Sequence, residues 1–270
     1  MKRIEACFQS LKRSGRKGLI PFVTAGDPAP ELTQEVLHAL VRHGADMIEL
    51  GMPFSDPMAD GPVIQHASER AIARGVGLQH VLESVAGFRM RDSHTPIVLM
   101  GYLNPIFVYG PQFFADAARA GVDALLLVDC PVEETSLIQP HLDRYGLRQI
   151  HLIAPTTSKA RRDKIFKVAR GFVYYVSFKG ITGAERLAFD EAIAALKTLA
   201  SEAPLPLAVG FGIRDAQSAK ALGDHADAVV IGSALVDQLK HARDAPQVDS
   251  IVASFLAPIR AALGGLEQAA

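Results

Sequence analysis

Three stretches of this chain carry one short pattern, and it restricts the fold more than any other feature. His43-Gly44-Ala45-Asp46 runs into Met47-Ile48-Glu49-Leu50-Gly51, and Ala120-Gly121-Val122-Asp123 runs into Ala124-Leu125-Leu126-Leu127-Val128. His225-Ala226-Asp227 runs likewise into Ala228-Val229-Val230-Ile231-Gly232-Ser233. Each unit is an amphipathic helix, a short turn with Asp, a buried apolar strand and a polar or glycine-containing exit. Short apolar runs alternating with helical patterns specify βαβ units and a parallel sheet, because such strands are covered on both faces.

The pattern predicts strands over Leu19–Thr24, Asp46–Leu50, Pro96–Met100, Ala124–Val128, Gln149–Ile153, Phe172–Val176, Pro206–Val209 and Ala228–Ile231. Helical stretches follow, among them Pro30–His43, Pro111–Ala120, Val132–Tyr145, Lys159–Ala169, Asp190–Ser201 and Asp215–Leu222. Eight such units in about 250 residues is the size of a closed (β/α)8 barrel. An open doubly wound sheet is the alternative, but no Gly-x-Gly-x-x-Gly follows the first strand. No Ser- or Pro-rich linker divides the chain, so one domain is expected over residues 1–270. Extra helices, outside the repeat, are expected at Ile4–Ser14 and Gln247–Leu263.

Function classes narrow next. A formal net charge of −1 provides no field for nucleic acid or an anionic membrane surface. The longest apolar runs are of strand length, short of the roughly 20 residues a membrane span needs. The N-terminus lacks the apolar core of a signal peptide. Cys7 and Cys130 have neither disulfide-like nor zinc-like spacing. The expectation is a cytoplasmic protein without metal, nucleic-acid or membrane partner.

In a barrel the loops after the strands share one face, where active sites are built. Those exits carry Glu49 and Asp60 after strand 2, Tyr102 and Asn104 after strand 3, Asp129 after strand 4 and Tyr174 at the end of strand 6. Thr182-Gly183 lies in the long loop beyond, Gly210-Phe211-Gly212-Ile213 follows strand 7, and Gly232-Ser233 follows strand 8. Glu49 between Ile48 and Leu50 costs several kcal/mol on a buried strand unless something there needs it. With Asp60 on the loop leaving that strand, it has the layout of a general acid–base pair. Glycine turns on consecutive strands let backbone N–H groups approach an anion at a helix N-terminus, which suits a phosphate. Structural readings stand beside these. Glu49 as a buried carboxylate satisfied by a neighbour, Asp60 as an N-cap before Gly61-Pro62, Asp56 and Asp129 as turn formers, and both tyrosines and Cys130 as packing residues all fit the residue types. The nine histidines form no triad-like set and read as surface or packing residues.

The run Pro21-Phe22-Val23-Thr24-Ala25-Gly26-Asp27-Pro28, and above all Glu49-Leu50-Gly51-Met52-Pro53-Phe54-Ser55-Asp56-Pro57-Met58-Ala59-Asp60-Gly61-Pro62, resembles the tryptophan synthase alpha subunits. So do Gly101-Tyr102-Leu103-Asn104-Pro105, Val128-Asp129-Cys130-Pro131, Thr182-Gly183-Ala184 and Val209-Gly210-Phe211-Gly212-Ile213. The resemblance spans about residues 1–263. It implies a TIM barrel that cleaves indole-3-glycerol phosphate to indole and glyceraldehyde 3-phosphate without a cofactor. It also implies a beta subunit, in an alpha-beta-beta-alpha heterotetramer, that receives the indole. It implies Glu49 as the acid–base group and Asp60 as the carboxylate on the indole N–H. The implied indole pocket is Phe22, Ile64, Met100, Tyr102, Leu126, Val128, Ile153 and Tyr174. Phosphate contacts are implied at Gly183, Phe211, Gly212, Ile213, Gly232 and Ser233, and Thr182 matches a threonine that orders beside the aspartate. Asp56, Pro57, Asn104, Pro105 and Phe107 match positions facing the beta subunit. One departure is Phe178, where well-known members carry arginine. A stand-alone lyase releasing free indole and a silent phosphate-binding barrel are the rival expectations.

Overall fold

The computed structural model describes residues 2–176, 185–210 and 212–265, and of residues 185–189 only their place in a helix. All strands pair in parallel. They are β1 (Gly18–Thr24), β2 (Ile48–Gly51), β3 (Ile97–Gly101), β4 (Ala124–Leu127), β5 in two pieces (Arg148–Gln149 and His151–Ile153), β6 (Val173–Val176), β7 (Leu207–Gly210) and β8 (Ala228–Ile231). The first piece of β5 pairs with β4 and the second with β6. The two ends of the nine-segment sheet are therefore halves of one strand broken at Ile150, and the sheet closes on itself as an eight-stranded barrel.

The aspartate of the repeat has a structural task. The Asp46 backbone N–H donates to the Leu19 carbonyl at 2.9 Å, and its carboxylate accepts from the Leu19 N–H, also at 2.9 Å. Asp123 makes the same pair of bonds with Ile97, at 3.0 and 2.9 Å, and Asp227 with Leu207, both at 2.8 Å. Each aspartate thus satisfies an N–H at the start of the neighbouring strand, the first residue of β3 and β7 and the second of β1. It also explains why β2 starts at Ile48 rather than at the expected Asp46.

The expected N-terminal helix, Arg3–Ser14, plugs the bottom of the barrel with Ile4, Phe8 and Leu11. Phe8 packs on Phe172, ring centroids 5.6 Å apart. The C-terminal helix, Ala245–Ala262, packs against the helices Thr33–Arg42 and Ala216–Gly223 and completes the outer ring. Arg260 fastens it: only 2% exposed, it donates to Asp46 Oδ2 at 2.6 Å and to the carbonyls of Lys17 and Leu263, both at 2.7 Å. Among the described residues no helix is long and apolar enough to cross a membrane, and no cluster of three or more His, Cys, Asp or Glu could hold a metal ion.

Candidate active site

Pairing register fixes which side chains enter the barrel. Phe22 lies level with Glu49, and Glu49 with Val98. Counting by twos along each strand, the interior receives Met100, Leu126, Val128, Leu152 and Tyr174. Ile153 corrects the expectation. It packs with Val173 and Tyr175 against the helices, while Leu152 shares the inner cluster with Tyr174, Met100 and Val128. A shift of one residue on a strand moves the side chain to the opposite face, so the inward position on β5 is Leu152.

Glu49 is 3% exposed, and its Oε1 has no hydrogen-bond partner among the described residues. Burial first, and the facing Asp60 second, push its carboxyl up to about 8. It carries a proton at neutral pH. The reading of Glu49 as a carboxylate satisfied by neighbours does not hold for that oxygen.

Asp60 ends a turn in which its N–H donates to the Pro57 carbonyl at 3.0 Å. The helix that follows, Pro62–Ala73, has Gly61 at its N-cap and no side-chain cap, so Asp60 is not spent as a capping residue. Proline in the first turn needs no acceptor for its nitrogen, which suits this start. Burial raises the Asp60 carboxyl to about 6, and the nearby Tyr102 hydroxyl opposes this. The Tyr102 oxygen accepts the Ala59 N–H at 3.0 Å, and its ring lies 5.2 Å from that of Phe54. Behind it, Asp129 is no mere turn former: its carboxylate accepts the Leu103 N–H at 2.9 Å, at the start of the helix Leu103–Tyr109.

A small cleft opens between these groups, and its lining brings Phe22, Ile64, Met100, Tyr102 and Asp60 together with Thr24, Gly51, Met52, Ser68 and Gly101. The additional residues had a legible signal. Thr24 is two residues beyond Phe22 on one strand face, and Ser68 four beyond Ile64 on one helix face. Arg70, on the same helix, grips the buried Asp27 with two bonds of 2.7 and 2.9 Å and so ties it to the β1 exit.

The two glycine loops differ. Gly210 is held to glycine by packing, since a Cβ there would lie 2.0 Å from the Tyr174 hydroxyl oxygen. Gly212 has φ +55°, a left-handed value suited to glycine. The helix beyond, Ala216–Gly223, is closed by its own residues: Asp215 accepts the Ser218 N–H at 2.8 Å in a capping box. The helix after β8, Ser233–Leu239, starts from Gly232 with no side-chain cap, and Ser233 is exposed beside it. Only the second keeps its N-terminal N–H groups clear of a side-chain acceptor. Ile213 is buried under the β7 loop. Thr182, Gly183 and Phe211, with Phe178 and Lys179, lie outside the described residues.

On the exits of β2 and β3, Asp56 and Asn104 are exposed, Pro57 and Pro105 half-buried, and Phe107 is 54% exposed. Met58 and Val108 stand out into solvent on the same two segments.

The sequence matches the family described as tryptophan synthase alpha chain over residues 8–260. It is 55% identical over 264 residues to the tryptophan synthase alpha chain of Laribacter hongkongensis, covering 97% of this chain and 99% of that one. It is 53% identical over 271 residues to the alpha chain of Xylella fastidiosa, covering 99% and 100%. The fold superimposes on the crystal structure of tryptophan synthase subunit alpha from Legionella pneumophila with a TM-score of 0.90 at 42% identity, covering 97% and 98% of the chains. It is also similar to a chain of the tryptophan synthase a2b2 complex from Pyrococcus furiosus, with a TM-score of 0.80 at 34% identity over 91% and 99%.

Proposed function

The chain belongs to the tryptophan synthase alpha chain family, carbon–carbon lyases that cleave indole-3-glycerol phosphate in tryptophan biosynthesis, and from that premise we propose that Glu49 and Asp60 carry its chemistry. The observation behind this is the Glu49 carboxyl, 3% exposed with its Oε1 unpartnered among the described residues, its pKa raised by burial and by Asp60 above that of Asp60. Two acids whose surroundings separate their pKa values can take opposite roles.

Cleavage is a retro-aldol reaction. Glu49 delivers its proton to indole C3, which makes the ring an indolenine-like cation; the anionic Asp60 stabilises the positive charge at the ring N–H. The adjacent glycerol hydroxyl then returns a proton to Glu49 as the C3–carbon bond breaks, and the electron pair restores the indole. One proton enters at C3 and one leaves the hydroxyl, so the products are indole and glyceraldehyde 3-phosphate. Each group is worth roughly 10²–10⁴ in rate.

The indole pocket is proposed from Phe22, Ile64, Met100, Tyr102, Leu126, Val128, Leu152 and Tyr174. The phosphate is proposed at Gly232, Ser233, Gly212 and Ile213, with Thr182, Gly183 and Phe211 added from sequence. The uncapped start of the Ser233–Leu239 helix supports this, since helix N-termini favour anions. A beta subunit is proposed to dock on Asp56, Pro57, Asn104, Pro105 and Phe107, in an alpha-beta-beta-alpha complex. Apolar side chains exposed at Phe107, Met58 and Val108 favour this over a stand-alone lyase. One cytoplasmic domain spanning residues 1–270 completes the proposal.

Indole release by the purified chain, with and without beta subunit, tests it together with Glu49→Gln and Asp60→Asn. Glu49→Gln should abolish nearly all cleavage, and Asp60→Asn should leave a residue of it. Near-normal turnover of Glu49→Gln would remove the central assignment.

A further inference from the structure

Thr24 closes β1 with a hydroxyl that none of its described neighbours uses. It is 3% exposed, and its Oγ1 has no hydrogen-bond partner among the described residues. The turn it opens takes its bonds elsewhere. The Ala25 N–H donates to the Gly51 carbonyl at 3.0 Å, the Gly26 N–H to Thr33 Oγ1 at 3.0 Å, and the Asp27 N–H to the Thr24 carbonyl at 3.2 Å. A threonine at the start of a turn ordinarily offers its hydroxyl to such donors. A buried hydroxyl without a partner costs free energy.

This hydroxyl belongs to the candidate site. Thr24 lies two residues beyond Phe22 on the same face of β1, and it lines the cleft with Phe22, Asp60 and Ile64. It is level with Gly51 as Phe22 is level with Glu49, so it stands about 7 Å nearer the mouth than the acid. Gly51 brings no side chain to that level. On the other flank of β1, a Cβ at Gly232 would lie 3.4 Å from Phe22 Cβ. On the proposed function, β1 therefore separates the acid on β2 from the phosphate beyond β8, and the three-carbon chain of the substrate has to cross it. Ser68, the cleft's other buried aliphatic hydroxyl, sits on the helix that follows Asp60 and not on this strand.

The polar groups of the substrate match the site one by one. In the proposed reaction the ring N–H goes to Asp60, the hydroxyl beside C3 returns its proton to Glu49, and the phosphate goes to the helix start at Gly232. One group remains, the second hydroxyl of the glycerol chain. We propose that Thr24 is a specificity-determining residue whose hydroxyl bonds that second hydroxyl, so that the site reads a hydroxylated chain rather than any three-carbon spacer. This rests on the reading of Glu49 and Asp60 as the acid–base pair. The bond supplies Oγ1 with the partner it lacks among the described residues, and either hydroxyl can donate or accept in it. A chain without the hydroxyl leaves Thr24 unpaired, which is how a polar site rejects an apolar analogue.

Thr24→Val keeps the β-branched shape and removes the hydroxyl, and Thr24→Ser keeps a hydroxyl. The first measurement is indole release from indole-3-glycerol phosphate by the full chain, as kcat and KM. The second is the affinity of indole-3-propanol phosphate, which has the ring and the phosphate but neither chain hydroxyl, by titration calorimetry. Thr24→Val should lower kcat/KM roughly tenfold, the worth of one buried hydrogen bond, and should bind the analogue within about twofold of the unsubstituted chain. Thr24→Ser should recover most of the loss. Since the hydroxyl removed has no described partner, Thr24→Val should melt at or above the unsubstituted chain. Equal losses toward both ligands, no loss toward the substrate, a serine variant that behaves like the valine one, or a valine variant that melts lower would each overturn the proposal. Glu49→Gln run alongside separates the two levels. An active Glu49→Gln sinks the acid–base reading itself, whereas an inactive one with a Thr24→Val that does not discriminate sinks only the role of Thr24.

Discussion

Replacing Glu49 by glutamine should make the protein more stable as well as inactive, and the gain should depend on pH. The carboxyl ionises at about 8 in the folded chain against an ordinary 4.5, because burial disfavours its charged form and Asp60 faces it. Between those values the folded state holds a proton that the unfolded state releases, so the free energy of unfolding falls as pH rises. Below the lower value the site has no effect, and above the upper one the loss stops growing. At neutral pH about two and a half pH units of that window have been crossed, at about 1.4 kcal/mol each, or roughly 3 kcal/mol. Glutamine is nearly the same size and cannot ionise. It leaves a buried amide short of partners, which takes back about 1 kcal/mol, and Glu49 Oε1 is already without one among the described residues. The net expectation is about 2 kcal/mol of added stability near pH 7, a rise of about 5 °C in Tm for a chain of this size. Near pH 4 the two proteins should melt together, or the variant slightly lower. Thermal melts of both across that range, with indole release on the same samples, make the test. A Tm difference that is the same at both ends would show that Glu49 is not held protonated by the fold.

Gly232→Asp places a side chain where a Cβ would already lie 3.4 Å from Phe22 Cβ and adds a negative charge at an uncapped helix start. KM should rise sharply and glycerol 3-phosphate affinity fall; a variant that melts normally and binds it unchanged would put the phosphate elsewhere. Phe107→Asp should weaken association with a beta subunit, read by titration calorimetry, and unchanged affinity would move the interface off the β3 exit. Arg260→Met leaves the Asp46 carboxylate without its 2.6 Å partner. It should cost about 3 kcal/mol in denaturant unfolding, and a cost below about 1 kcal/mol would mean that the C-terminal helix is held by its apolar face instead.

How much of this was legible in sequence depended on whether the two faces of a strand differ. Glu49 could be recognised because it is the charged residue in Met47-Ile48-Glu49-Leu50, and its neighbours make its cost plain. On β5 the run Ile150-His151-Leu152-Ile153 offers apolar side chains on both faces, since a parallel barrel strand is buried on both. There His151 and Gln149 are buried on the helix side while Ile150 and Leu152 point inward. No alternation distinguishes Leu152 from Ile153, and the sequence reading went to the wrong one. The two glycine loops failed to separate for another reason. The cap that closes the helix after β7 uses Ser218 as the partner of Asp215, where the usual signature has Glu or Gln. The alternatives for Asp60 required a helix boundary, and one residue, Gly61 at the N-cap, decided between them.

Register supplies what periodicity lacks, because one anchored side chain fixes the face of its neighbours around the barrel. Phe22 is level with Glu49 on one side of β1, and on the other side it lies against Gly232. The proposed proton donor and the proposed phosphate site are therefore on strands that flank β1, in the order β2, β1, β8. Two strand spacings separate them, about 10 Å. A three-carbon phosphate ester, with a hydrogen bond of about 3 Å at each end, bridges a gap of that order. The proposal would then put C3 of the indole at Glu49 and the phosphate at the helix start, with Phe22 between them. On the proposed placement, a substrate with a longer or shorter chain between ring and phosphate would satisfy one end at a time, so selection for the glycerol phosphate side chain follows from the barrel's spacing only if both proposed ends hold.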